Sequence, residues 1–230
     1  MSTATLTHTN GTAKPTTPEQ PLRGNYYAEG AYAVTDVKKG VTRNRSGARI
    51  IALTADFLLG LHKGINEECG PAADSVLKNC GIRWGAAFAK RFETELSAFH
   101  GRPVTEFPLA EFQSCLIECF SHHGWGKLTI DPSFTDRGLI VVVVEGAIMA
   151  GLVGRAAKPA DTLMAGTLAG FFRHFSGEDL DCLQTQCSAC KAKDSRFVIG
   201  LTSRLAPAAD WVAKGLSHGE VLIKLVEGRA

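Results

Sequence analysis

Asp161-Thr-Leu-Met-Ala-Gly166-Thr-Leu-Ala-Gly170-Phe-Phe-Arg-His-Phe175 is the stretch on which the fold turns. Its apolar residues recur at helical spacing, and Asp161 stands where a side-chain oxygen would cap the first turn of a helix. A helix-interior glycine costs about 0.5–1 kcal/mol relative to alanine. Two glycines four apart on one face therefore need a packing reason. Gly81 and Gly85, flanking Trp84, repeat the device upstream. Each pair leaves a helix face without side chains, against which another backbone can lie closely. Such faces make room for a ligand or allow contact in a dimer.

Working outward, Val76, Leu77, Cys80, Trp84, Phe88, Phe92 and Leu96 continue one stripe from Pro71 to about Phe99, which predicts a long helix around the first glycine pair. A shorter helix is expected from Ser46, as N-cap, to Gly64, with Ile50, Leu53, Phe57, Leu58 and Leu61 on its apolar face. Another should run from about Leu109 to Ser121, ended by Gly124. Trp125–Asp131 and Leu139–Val144 read as an antiparallel hairpin, its second strand apolar on both faces. The longest apolar run, Gly138–Ala150, is broken by Glu145 and falls short of the ~20 residues that span a bilayer; it reads as a buried strand. After Phe175 come two more strands, Leu180–Cys187 and Ser195–Leu201, then a short helix over Ala206–Gly215. Val221–Val226 fits either a strand or a helix. Helices packed on a mostly antiparallel sheet define an α+β chain with a single core.

With 230 residues, 45% of them hydrophobic, the chain can build one substantial domain. A net charge of +2 offers no electrostatic footprint for nucleic acid or anionic lipid. Residues 1–24 lack apolar periodicity and any signal-peptide character, so a flexible tail and a cytoplasmic location are expected. Residues 25–47 hold three tyrosines and read as an arm across the domain. An odd count of seven cysteines argues for reduced thiols over a disulfide framework.

Gly81 and Gly85, Gly124-Trp125-Gly126, Ala165-Gly166-Thr-Leu-Ala-Gly170-Phe171 and the strand Arg196-Phe197-Val198-Ile199 together resemble the 4-vinyl-reductase-like, hydrocarbon-binding domain family, which is similar in fold to small vesicle-tethering subunits. The resemblance spans residues 48–203 as a ligand-binding domain and leaves 204–230 as a C-terminal extension. It implies a homodimer and an apolar cavity between helices and sheet for a hydrophobic or tetrapyrrole-like molecule. It also implies a zinc beside that cavity, whose ligand positions become Asp161, Gln184, Cys187 and Ser195 in this chain. Only Cys187 is a typical zinc ligand among them.

Thiols appear nearby instead. Cys182, Cys187 and Cys190 have the gaps of the first three ligands of a plant-type two-iron cluster, and three thiolates also suit zinc. On a regular strand Cys182 and Cys190 share a face that Cys187 does not, so a common metal requires the chain to leave strand geometry. Cys115 and Cys119, four apart on a helix, are the leading donors of a fourth ligand; a cluster bridging two subunits is another route. Lys191 and Lys193 adjoin Cys190 and would favour thiolate. His122, His123 and His174 fall near helix C-termini, where capping competes with metal binding.

Phe57, Trp84, Phe88, Phe112, Trp125 and Phe171 are the candidates to line an apolar cavity. No hydrolase triad, phosphate-cradling glycine loop or metal-hydrolase histidine motif is present. The sequence therefore points first to a small-molecule-binding protein with a Cys-bound metal centre, acting in sensing, carriage or assembly. A tetrapyrrole or aromatic reductase with an iron-sulfur cluster is the second reading, and an interaction subunit with structural zinc the third.

Overall fold

The glycine pairs meet each other inside the molecule. In a computed structural model, which describes residues 26–27 and 32–228, α2 (Ala73–His100) crosses α5 (Thr162–Ser176) at these glycines. A Cβ on Gly81 would strike the Leu163 carbonyl oxygen, and one on Gly85 that of Thr167. Reciprocally, Gly166 and Gly170 lie on the carbonyls of Lys78 and Ile82. The helices thus touch backbone to backbone, and the expected role of these glycines in dimer contact or cavity space is replaced by an intramolecular crossing. Asp161 caps α5 as anticipated, its carboxylate accepting from Met164 N at 3.1 Å.

The described chain begins with Tyr26 and Tyr27, then a small antiparallel meander of β1 (Ala33–Asp36), β2 (Val41–Asn44) and β3 (Arg49–Ile50). The expected helix start at Ser46 is corrected here. Asn44 Oδ1 accepts from Ala48 N at 2.9 Å, Gly47 takes a left-handed φ of 85°, and Arg49 and Ile50 pair back onto β2. The helix α1 (Ala55–Cys69) starts after Thr54 instead. Next come α2 and α3 (Leu109–His122), close to their expected bounds. The predicted tail, residues 1–24, lies outside the described residues.

The main sheet has the order β4 (Lys127–Asp131), β5 (Ile140–Glu145), β7 (Ser195–Leu201), β6 (Leu180–Gln186), antiparallel throughout. Gly146, at a φ of 63°, ends β5, so the tail of the apolar run expected as strand turns into α4 (Ile148–Val153). Val142 and Val144 face the helical core of α2, α3 and α5, while Val141 faces the other way. There α6 (Thr202–Leu205), α7 (Ala208–Ala213) and α8 (His218–Glu227) supply Leu205, Ala208, Val221, Leu222 and Leu225 as a second core. Covering on both faces explains the unbroken valine run of β5. A capping box between Ser217 and Glu220 makes the unassigned C-terminal segment a helix. Among the described residues no helix is long and apolar enough to cross a membrane.

Candidate functional site

Helical spacing of four stacks Trp84, Phe88 and Phe92 along α2, and Phe171 and Phe175 along α5. Phe112 and Phe120 come from α3, and Trp125 from the turn that follows it. These rings converge. Trp84 stacks on Phe88 with centroids 5.2 Å apart and meets Trp125 at 5.0 Å; Phe88 contacts Phe171 at 5.7 Å; Phe112 reaches Phe92 at 5.9 Å and Phe171 at 6.4 Å. Five of the six predicted lining residues therefore share one aromatic cluster, packed ring on ring. Trp84, Phe112 and Trp125 are half-buried, whereas Phe88 and Phe171 are enclosed. Phe57 is the exception. It sits in the first turn of α1, a helix without buried residues, and is 52% exposed.

One edge of the cluster is polar. His123, at the end of α3, touches Phe88 edge-on at 5.9 Å; its Nδ1–H donates to the Cys119 carbonyl at 2.7 Å, leaving Nε2 to accept from the Tyr32 hydroxyl at 2.9 Å. Burial lowers the His123 pKa and raises that of Tyr32 to about 12, so a neutral imidazole accepts from a neutral phenol. Tyr26, Tyr27 and Tyr32 pack against one another, and Tyr27 also meets the Cys119 thiol. The arm is pinned by Glu95 of α2, whose Oε1 accepts from Asn44 Nδ2 at 2.5 Å and Ser46 Oγ at 2.9 Å. Arg45 adds a bond to the Tyr26 carbonyl at 2.9 Å. The three tyrosines were legible as an arm; their burial beside His123 was not, because the contacts span some 90 residues of sequence.

A second polar group lies at the start of α5. Asp161 is wholly buried; its backbone N–H donates to Gln184 Oε1 at 2.9 Å, while Asp161 Oδ2 and Gln184 Nε2 have no hydrogen-bond partner. Desolvation raises the Asp161 pKa to about 7. Ser195 Oγ accepts from Ser188 N at 3.2 Å. These are the positions that the family resemblance relates to zinc, and an amide and a hydroxyl are weak ligands for that ion.

The thiol clusters expected from sequence separate. A bulge at Thr185 resets the alternation of β6, so Cys182 and Cys187 both turn to the helical core, against the expectation of opposite faces. Cys182 lies among Asp181, Lys78 and Asp161, whereas Cys187 meets Cys190. Cys115 and Cys119 are buried on α3, and Cys119 faces Tyr27 and His123. Burial pushes the thiols of Cys182 and Cys119 upward, away from the thiolate that a metal needs. Among the described residues, no three His, Cys, Asp or Glu side chains gather where one metal ion could be held. Within one chain, the described donors thus do not assemble the predicted zinc or iron-sulfur centre.

Together, fold and site define a small α+β domain with an aromatic core between helices and sheet. Its fold is shared with the phenol-responsive sensory domain of the transcription activator PoxR, solved with phenol. That structure matches with a TM-score of 0.59 at 15% identity, covering 85% of this chain and 92% of that one. A vinyl-4-reductase family protein from Methanocaldococcus jannaschii matches at a TM-score of 0.42 and 13% identity, over 65% of this chain and 82% of that one. A trafficking protein particle complex subunit 3 from Naegleria fowleri, covalently bound to palmitic acid, gives 0.49 and 12%, over 64% and 95%. The fold relationship expected from the glycine motifs is thereby shown. No family model and no curated protein matches the chain.

Proposed function

We propose that this chain is a binding domain for an apolar, ring-bearing small molecule, acting in sensing or carriage. The observation that carries this reading is the environment of Tyr32: a phenol ring, buried in the molecule, donates its hydroxyl to a neutral imidazole at the edge of an aromatic cluster. An external ring with one hydroxyl would meet the same chemistry by taking the place of the Tyr32 ring on His123 Nε2, at the edge of a cluster that includes the half-buried Trp84 and Trp125. The shared fold with a domain solved with phenol supports the same class of ligand.

Phenol titrated against the purified chain tests it, with intrinsic tryptophan fluorescence and thermal unfolding as readouts. Saturable quenching and a raised Tm are expected in the wild type, with weaker binding in His123→Ala and Trp125→Ala. Saturable binding unchanged by both substitutions would place the ligand elsewhere, and no saturation by phenol or by a larger hydrophobic ring compound would overturn the reading.

A homodimer is part of this proposal. Ile51, Leu53, Phe57 and Leu61 are 75%, 54%, 52% and 48% exposed along and just before α1, an apolar strip of the kind that marks protein contact. The same strip favours an interaction subunit as the second reading.

A further inference from the structure

We infer that Cys187 and Cys190 form a reversible dithiol–disulfide pair. Cys187-Ser-Ala-Cys190 closes a 3-10 turn in which Cys190 N–H donates to the Cys187 carbonyl at 3.0 Å. A turn closed by such a bond keeps its end Cα atoms within ~7 Å, inside or near the ~4.4–6.8 Å that a disulfide spans. Burial, and then the neighbouring Cys187 thiol, hold the Cys190 pKa above its ordinary value, against the expectation that Lys191 and Lys193 favour its thiolate. The exposures of the two thiols differ usefully: Cys187 is buried, and Cys190 is half-buried, so a solution oxidant has one thiol to reach and the other resolves. Immediately after Cys190, Lys191 takes a φ of 70°, the only non-glycine residue in the left-handed region among the described residues. An ordinary side chain held in that region carries backbone strain, which accumulates at sites with a functional constraint. Cys182, the third thiol of the sequence cluster, lies beside Asp161 and Lys78 and takes no part.

The reaction needs a low-molecular-weight disulfide such as oxidised glutathione. Cys190, after losing its proton to a solvent base, attacks one glutathione sulfur as thiolate, forming a mixed disulfide and expelling one glutathione thiolate. Cys187, after losing its proton, attacks the Cys190 sulfur and expels the second. Two protein S–H bonds and one glutathione S–S bond become one protein S–S bond and two glutathione thiols; the protein gives up two electrons and two protons. Closure would stiffen a turn that is stitched to its surroundings. Ala156 N–H donates to Ala189 O at 3.0 Å, Ser188 N–H to Ser195 Oγ, and Ser188 and Lys193 line a surface depression of about 340 Å³ against α4.

The test equilibrates the full chain with graded ratios of reduced to oxidised glutathione, quenches with acid, alkylates the free thiols and weighs the intact protein. Metal content is measured on the starting sample. The expected product has lost the mass of two hydrogens and two alkylatable thiols, is restored by reductant, and forms equally in Cys182→Ser. Neither Cys187→Ser nor Cys190→Ser should give it, and Cys187→Ser should stop at the glutathione adduct. Thermal unfolding of each variant checks folding, and alanine at the same position replaces any serine variant that unfolds. A disulfide persisting without Cys187 or Cys190 would overturn the assignment. So would a wild type that stays fully reduced while Cys190 is readily alkylated, or one whose two thiols resist both reagents because a stoichiometric metal holds them.

Discussion

Asp161 does two jobs that pull against each other. One carboxylate oxygen caps α5, and the other is buried without a partner. Desolvation raises its pKa to about 7, so the folded state favours the protonated form. Stability from this group is complete below the unfolded value of about 4 and declines as pH rises from there toward 7, where the folded carboxyl also ionises; above that it levels off. Asn is as good a cap and carries no charge. Asp161→Asn should therefore gain about 1–4 kcal/mol over the wild type at pH 8 and nothing at pH 4 in urea unfolding. Parallel stability curves for the two proteins across that range would show that the buried carboxyl carries no such penalty. The capping role was readable from Asp161 alone, since it depends on residues within one turn. The burial of its second oxygen was not, because it depends on packing against β6, whose Gln184, twenty-three residues away, accepts from the Asp161 backbone N–H and leaves that oxygen without a partner.

At the level of elements, the two glycine pairs make the strongest claim. They are legible in sequence as bare helix faces, yet only the fold shows that each serves the other. The Cβ of an alanine at Gly85 or Gly166 would overlap a backbone carbonyl of the facing helix, which no rotamer change relieves. Overpacking of well-packed sites costs about 1–3 kcal/mol, and rigid backbone on both sides puts these positions at the upper end. Gly85→Ala and Gly166→Ala should each lower the urea midpoint markedly, while Gly151→Ala on α4, where a Cβ meets nothing within 4 Å, should raise it slightly. Equal effects at the three positions would argue against the close crossing. Elements with local signals were found almost to the residue: α2, α3, α5 and the β4–β5 hairpin. The start of α1 was misplaced because helical periodicity from Ile50 competed with a turn, Asn44–Ala48, held by one side chain. The thiol alignment failed for a similar reason. One bulge residue, Thr185, changes the face of everything after it, and alternation counted along the chain does not reveal it.

Across the whole molecule, the apolar surface is unevenly covered. The sheet is enclosed on one face by α2, α3 and α5 and on the other by α7 and α8, whereas α1 buries no residue of its own. Its Phe57 and Leu61 lie one turn apart, and Gly60 and Gly64, also four apart, leave open space beside them. In the proposed homodimer, a second copy of α1 would supply the complementary surface to these apolar side chains and bare glycines by symmetry. Stable interfaces bury about 800 Å² per partner, so α1 alone would need help from the exposed Ile51 and Leu53 that precede it. The protein is accordingly expected to sediment as a dimer at micromolar concentration. Phe57→Asp combined with Leu61→Asp should convert it to a monomer with unchanged far-ultraviolet circular dichroism, because neither side chain contributes to either core. The aromatic cluster lies apart from these residues, so phenol binding by the monomeric variant should stay within a few-fold of wild type; a wild type that sediments as a monomer would remove the dimer from the proposed function while leaving the binding site to be judged by the titration alone.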